Sequence, residues 1–158
     1  MFSDGIPGKT EFLREAGVVM RKKQSRSEAR AEAFKLVFQL ETNHDDIEFL
    51  IQEMLANRPK SVDNIEYIRH VVYGVYEKKQ ELEADIQANL SQRWTLSRVS
   101  KVALAVLKVA IYEIKYVEDV PHKVAINEAI ELEKKYDEPD NSAFVNGVLG
   151  GFCRRLKA

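Results

Sequence analysis

Between Gly17 and Gly147 the chain carries a single glycine, Gly74. The four prolines are equally sparse. Sheet proteins need turn residues every 8–12 positions or so. This chain lacks them, which excludes an all-β fold and predicts an all-α one. At 158 residues the chain is about one domain long. Folding at that size buries about two thirds of the surface, so a core forms without disulfides or metal.

The apolar spacing places the helices. Ser25 and Glu28 have the spacing of a capping box and open the first helix. Ala33, Leu36, Val37 and Leu40 form its core stripe, with Phe34 and Phe38 to one side. Asn43 to Asp46 start a second helix whose stripe is Ile47, Leu50, Ile51, Met54 and Leu55. A long stretch from Ser61 to Ile86 follows, interrupted at Lys79, with Gly74 marking a close helix crossing. Thr95 to Ser97 are read as the cap of a helix running to about Val117. That segment is apolar almost all round, from Val99 to Ile111, and Lys108 is its one charge beyond Lys101. A helix without a polar face is buried on all sides, so it is the central rod. Pro121 suits the first turn of the next helix, and Ser142 the start of the last. The expectation is a compact bundle of six or seven helices over residues 21–158. Residues 1–20, with three of the seven glycines, read as a mobile N-terminal extension, with Met20 as an alternative start.

The chemistry is sparse. His44, His70 and His122 share no metal-ligand spacing. No phosphate-binding glycine loop or nucleophile motif is present, so neither an enzyme, a cofactor nor a small-molecule substrate is expected. Cys153 has no internal partner, as in a reducing cytosol. It reads as a packed residue or, beside Arg154 and Arg155, as a reactive thiol. No apolar run reaches the roughly 20 residues of a membrane span, and residues 1–20 carry too many charges for a signal peptide. A cytoplasmic protein is expected.

The net charge of −1 hides an asymmetry. Residues 21–30 sum to +4 through Arg21, Lys22, Lys23, Arg26 and Arg30 against Glu28, while residues 31–158 sum to −4. A short basic arm on an acidic body is either a phosphate contact or a solvated end. Arg154, Arg155 and Lys157 read as helix-end cations facing the dipole.

Trp94, the run Val106–Ile114 (VLKVAIYEI), the run Val120–Leu132 (VPHKVAINEAIEL), Lys135–Tyr136 and Phe144–Leu149 (FVNGVL) occur in that order. In this, over about residues 25–156, the chain resembles the NusB family of bacterial transcription antitermination factors. The resemblance implies two packed helical subdomains and binding of boxA-type RNA. It also implies a partner, ribosomal protein NusE, and joint action on RNA polymerase elongation complexes at ribosomal RNA operons. The family's arginine-rich first helix maps onto Arg26 and Arg30. Here Ser27 and Glu28 separate them, and Arg21, Lys22 and Lys23 lie upstream. Phe144 and Asn146 belong to the signature near the RNA-facing side. Arg26 and Arg30, at i and i+4, are expected to share a face and anchor phosphates. Phe38, off the core stripe, is the expected partner anchor. Glu113 is read mainly as structural, and otherwise as facing the partner. Ala103–Leu104 replaces a pair that is often acidic then basic in the family. Two alternatives stand beside this reading. One is a protein-binding helical module with little RNA affinity. The other is a fragment of an RNA cytosine methyltransferase, whose N-terminal domain resembles this one.

Overall fold

The computed structural model describes residues 22–43 and 46–157. Among them are seven α-helices and no strand: α1 Arg26–Thr42, α2 Ile47–Asn57, α3 Ile65–Glu77, α4 Lys79–Ala88, α5 Lys101–Tyr116, α6 His122–Tyr136 and α7 Asn141–Lys157. Two 3-10 segments, Pro59–Asn64 and Leu96–Arg98, lie between them. The expectations for residues 1–20, Arg21 and His44 lie outside the described residues.

The capping box forms as its spacing requires. Glu28 N–H donates to Ser25 Oγ at 3.0 Å, and Ser25 N–H donates back to Glu28 Oε1 at 2.9 Å. Helix α2 is capped by Asp46, whose Oδ1 accepts from Glu48 N–H. The long third stretch divides at Lys78, where the backbone leaves helical angles between α3 and α4. The central helix starts later than Thr95–Ser97 suggested. Ser100 caps it by accepting from Ala103 N–H at 3.0 Å, and residues 96–98 form their own 3-10 turn.

Helix α5 packs against α1, α3, α4, α6 and α7, which explains its lack of a polar face. Every residue from Ala103 to Ile114 is buried. Ala103 and Leu104 are among them, so losing the charges usual there sinks the helix start into the core. At about 1.5–3 kcal/mol for each large apolar side chain, this row is the largest favourable contribution to stability. Lys108, fully buried, is matched by two carboxylates: Nζ donates to Glu41 Oε1 at 2.5 Å and to Glu83 Oε2 at 2.7 Å. Gly74 does mark a close crossing. A Cβ there would stand 2.1 Å from the Tyr112 ring. Phe34, expected beside the core stripe, lies within the core, with its ring 5.2 Å from Tyr136. The stripe is wider than its aliphatic members because Tyr136, at the end of α6, packs on Phe34.

Candidate nucleic-acid interface

The basic arm enters the fold at Gln24, which is buried. Its backbone N–H donates to Asp63, its side chain donates to Ser61 Oγ, and Asn64 Nδ2 donates to its carbonyl. This anchor fixes the start of α1, beside which Lys22, Lys23 and Arg26 are exposed. Arg26 lies 4.3 Å over the Tyr67 ring and 3.9 Å from Asp119. An exposed pair at that distance holds its side chain weakly.

Arg30 does share a face with Arg26, since both guanidinium groups lie over Tyr67. That face turns inward. Arg30 is 3% exposed. Its Nε and Nη2 donate to the two oxygens of Glu113 at 2.8 and 2.9 Å, and Nη1 donates to Glu128 at 3.0 Å. Tyr67 Oη donates to the same Glu113 carboxylate at 2.9 Å. Burial alone would lower the Arg30 pKa, but the Glu113 hydrogen bond holds it above the ordinary value and keeps the group charged. Burial, then the Glu113 charge, pushes the Tyr67 phenol up. Arg30 is therefore a clamp inside the fold rather than an exposed phosphate anchor. Glu113, with no exposed surface, is its counter-ion and does not face a partner. Neither partner is visible from α1 alone, because each arrives from a distant helix. Glu128, on α6, is the second carboxylate held by Arg30.

At the other end of α5, three groups converge. The rings of Trp94 and Phe144 lie 5.7 Å apart, tilted by 36°. The Arg98 guanidinium lies 5.2 Å over the Trp94 ring. Trp94 is 39% exposed and Phe144 is half-buried. They edge a shallow cleft of about 230 Å³ whose walls include Val99, Ser100 and Asn141. An exposed aromatic pair with a planar cation is what a splayed base requires. Sequence reasoning assigned no role to Trp94 or Arg98. Their signal was a lone tryptophan in a turn, four residues before an arginine. Asn146 is exposed but two residues from Phe144, so it projects from another side of α7. Phe38 is half-buried, its ring 6.4 Å from Phe34.

The two clusters do not meet. Arg26 approaches Asp119, just past the C-terminal end of α5, while Trp94 and Arg98 precede its N-terminus. A helix of 16 residues spans about 24 Å, so one strand touching both clusters needs about seven stacked nucleotides.

Behind the aromatic cleft lies an acid pair. Both oxygens of Glu133 are shut off from water and receive no donor. Four residues on, Asp137 accepts from Ser100 Oγ at 2.6 Å and from Asn141 Nδ2 at 3.3 Å. Burial, then the Asp137 carboxylate, pushes Glu133 up to about 8. Burial would raise Asp137 too, but hydrogen bonds from Ser100, the Glu138 backbone and Asn141 hold it at about 2. Glu133 is sealed from water, and desolvation and the Asp137 carboxylate both favour its neutral form, so Glu133 keeps its proton. Asp137 ties the end of α6 to the Ser100 cap of α5 and to Asn141, the first residue of α7.

Among the described residues no group of three or more His, Cys, Asp or Glu is placed to hold a metal. No described helix is long and apolar enough to cross a membrane. The NusB family model matches residues 27–154. The transcription antitermination protein NusB of Clostridium novyi is 38% identical over 132 residues, covering 82% of this chain and 98% of its own. That of Lactiplantibacillus plantarum is 43% identical over 129 residues, covering 80% and 92%. The T. maritima NusB structure superposes with a TM-score of 0.74 at 31% identity, covering 84% of this chain and 93% of that one. The fold is shared as well, at 22% identity and a TM-score of 0.74, with a crystal structure of the antitermination factors NusB and NusE in complex with double-stranded RNA. That likeness covers 82% of this chain and 96% of the other. Helix order, the signature on α6 and α7, and relatives matched over nearly their full length agree: this chain belongs to the NusB family.

Proposed function

We propose that this protein is a transcription antitermination factor. It binds boxA-type single-stranded RNA together with ribosomal protein NusE, and acts in the cytoplasm on RNA polymerase elongation complexes at ribosomal RNA operons. It binds and does not catalyse. The observation that carries the RNA reading is the exposed Trp94 packed on a half-buried Phe144, with Arg98 laid over the Trp94 ring. In a duplex the base faces are already stacked, so such a pair favours a single strand, whose bases can be splayed. Lys22, Lys23 and Arg26 supply an electrostatic contact at the far end of α5. Their cations pair with phosphates whatever the sequence, and the aromatic cleft holds the base. The names of the curated relatives support antitermination, and the solved relative with NusE and double-stranded RNA supports NusE and an RNA as partners.

The recruitment of Arg30 into the core favours a second reading, a helical protein-binding module with little RNA affinity. Trp94 is the only tryptophan and reports directly on the cleft. Titration with boxA-type RNA is expected to quench its fluorescence, and Phe144→Ala to weaken binding by about 1–3 kcal/mol. Binding of NusE with no quenching by RNA establishes the second reading instead.

A further inference from the structure

Most buried or half-buried cations of this fold hold a carboxylate: Arg30, Lys60, Arg69, Lys108 and Lys115 each do. Arg154 and Arg155 are exposed, and among the described residues neither holds a carboxylate or a hydrogen bond. They edge a cleft of about 380 Å³ between α7 and the turn Asn89–Ser91, which has no acidic residue in its lining. Gly147 and Gly151 form its floor.

Helix position joins this cleft to the aromatic one. Phe144, Gly147, Gly151 and Arg155 follow one another at three- and four-residue steps, so they share a stripe of α7. The turn that walls the cleft leads directly into Trp94. The Arg154 guanidinium folds back beside that stripe, 3.8 Å from where a Cβ on Gly151 would stand. Helix-dipole pairing accounts for cations in a last turn, but it does not account for Gly147. A Cβ there would meet nothing within 4 Å, so packing within the protein does not require glycine, and glycine inside a helix lowers its stability. Gly151 differs, since its Cβ would stand 2.8 Å from Asn89 Oδ1 and narrow the cleft.

We propose that the Asn89–Arg155 cleft is a phosphate-backbone site continuing the Trp94–Phe144 cleft, so that a strand stacking a base there lays its next phosphates over Gly147 and Gly151 against Arg154 and Arg155. The occupant is single-stranded RNA, by charge and by continuity with the aromatic pair, and the proposal rests on the RNA reading above. From Phe144 to Arg155 the helix rises about 16 Å, the length of about five stacked nucleotides. Arginine's planar fork matches phosphate oxygens two at a time.

The test is fluorescence anisotropy with a fluorescein-labelled boxA-type single strand of about twelve nucleotides, at several salt concentrations. For R154Q/R155Q the slope of log affinity against log salt is expected to flatten by roughly 0.7–1.4, with affinity falling on the order of tenfold near 0.1 M salt. K79Q/K134Q loses two charges elsewhere and is expected to keep the slope. Gly147→Glu places a carboxylate in the cleft without a clash. It is expected to raise the melting temperature while weakening RNA binding, a pair of signs that a purely structural glycine does not give. Wild-type protein that binds this RNA, with R154Q/R155Q giving the same slope and affinity, overturns the cleft and leaves the RNA reading standing. Wild-type protein that does not bind overturns both. Weakened NusE binding with an unchanged RNA slope makes this face a protein interface and overturns the proposal.

Discussion

Replacing Glu133 with glutamine removes a titration that works against the fold. In the native state Glu133 holds its proton up to about pH 8; in the unfolded chain it loses it near 4.5. Between those values the native state binds one more proton than the unfolded state. Stability therefore falls as pH rises through the window, by up to about 1.4 kcal/mol per unit. At pH 7 the accumulated loss is about 3 kcal/mol, and it stops growing above pH 8. Glutamine does not titrate, keeps the volume and offers an amide N–H where protonated Glu133 offers O–H. Asp137, held at about 2, contributes in the opposite sense. Its stabilisation is present above its unfolded value of 3.8 and is lost toward pH 2, below the window. The assay is urea unfolding followed by Trp94 fluorescence at pH 5, 6, 7 and 8. The expected result is that Glu133→Gln matches wild type near pH 5 and exceeds it by about 3 kcal/mol at pH 7. A stability difference that is the same at pH 5 and pH 8, or a variant weaker than wild type at pH 8, would refute the buried proton on Glu133.

Other consequences follow from the same packing. Arg30→Ala leaves the Glu113 carboxylate buried without its cation, and denaturant unfolding is expected to show a loss of about 3–5 kcal/mol, far more than an exposed RNA contact would give. Gly74→Ala sets a methyl group against the Tyr112 ring, so its melting temperature is expected to fall by more than that of Gly147→Ala, which is expected to rise. Phe38→Ala is expected to keep the fold and weaken NusE binding by more than 1 kcal/mol. Unchanged affinity removes Phe38 from the partner surface, and unfolding assigns it to the core.

The fold was legible because its dominant signals are local. The capping box at Ser25, the apolar run of α5 and the glycine at the Tyr112 crossing each state their role within a few residues. The site was legible in part. The signature on α7 pointed to Phe144, but its stacking partner Trp94 lies 50 residues earlier, and no local period links them. Arg26 and Arg30 look alike in sequence, four residues apart on one face. What separates them is Glu113, which arrives from α5 and takes the second arginine inward while the first stays at the surface. A carboxylate 83 residues away decides that, and charge counting along one helix cannot see it. Glu133 was missed for a related reason: an acid on a helix that is otherwise polar toward its end looks solvated until α5 and α7 close over it.

The most direct test of the central claim is the affinity for boxA-type RNA, measured by anisotropy over a range of salt with and without NusE. The account predicts binding by the protein alone, with a slope of several contacts at about 0.7 each. It also predicts tighter binding when NusE is present and, by reciprocity, tighter NusE binding when RNA is present. No RNA binding in either condition, with NusE binding intact, would contradict it.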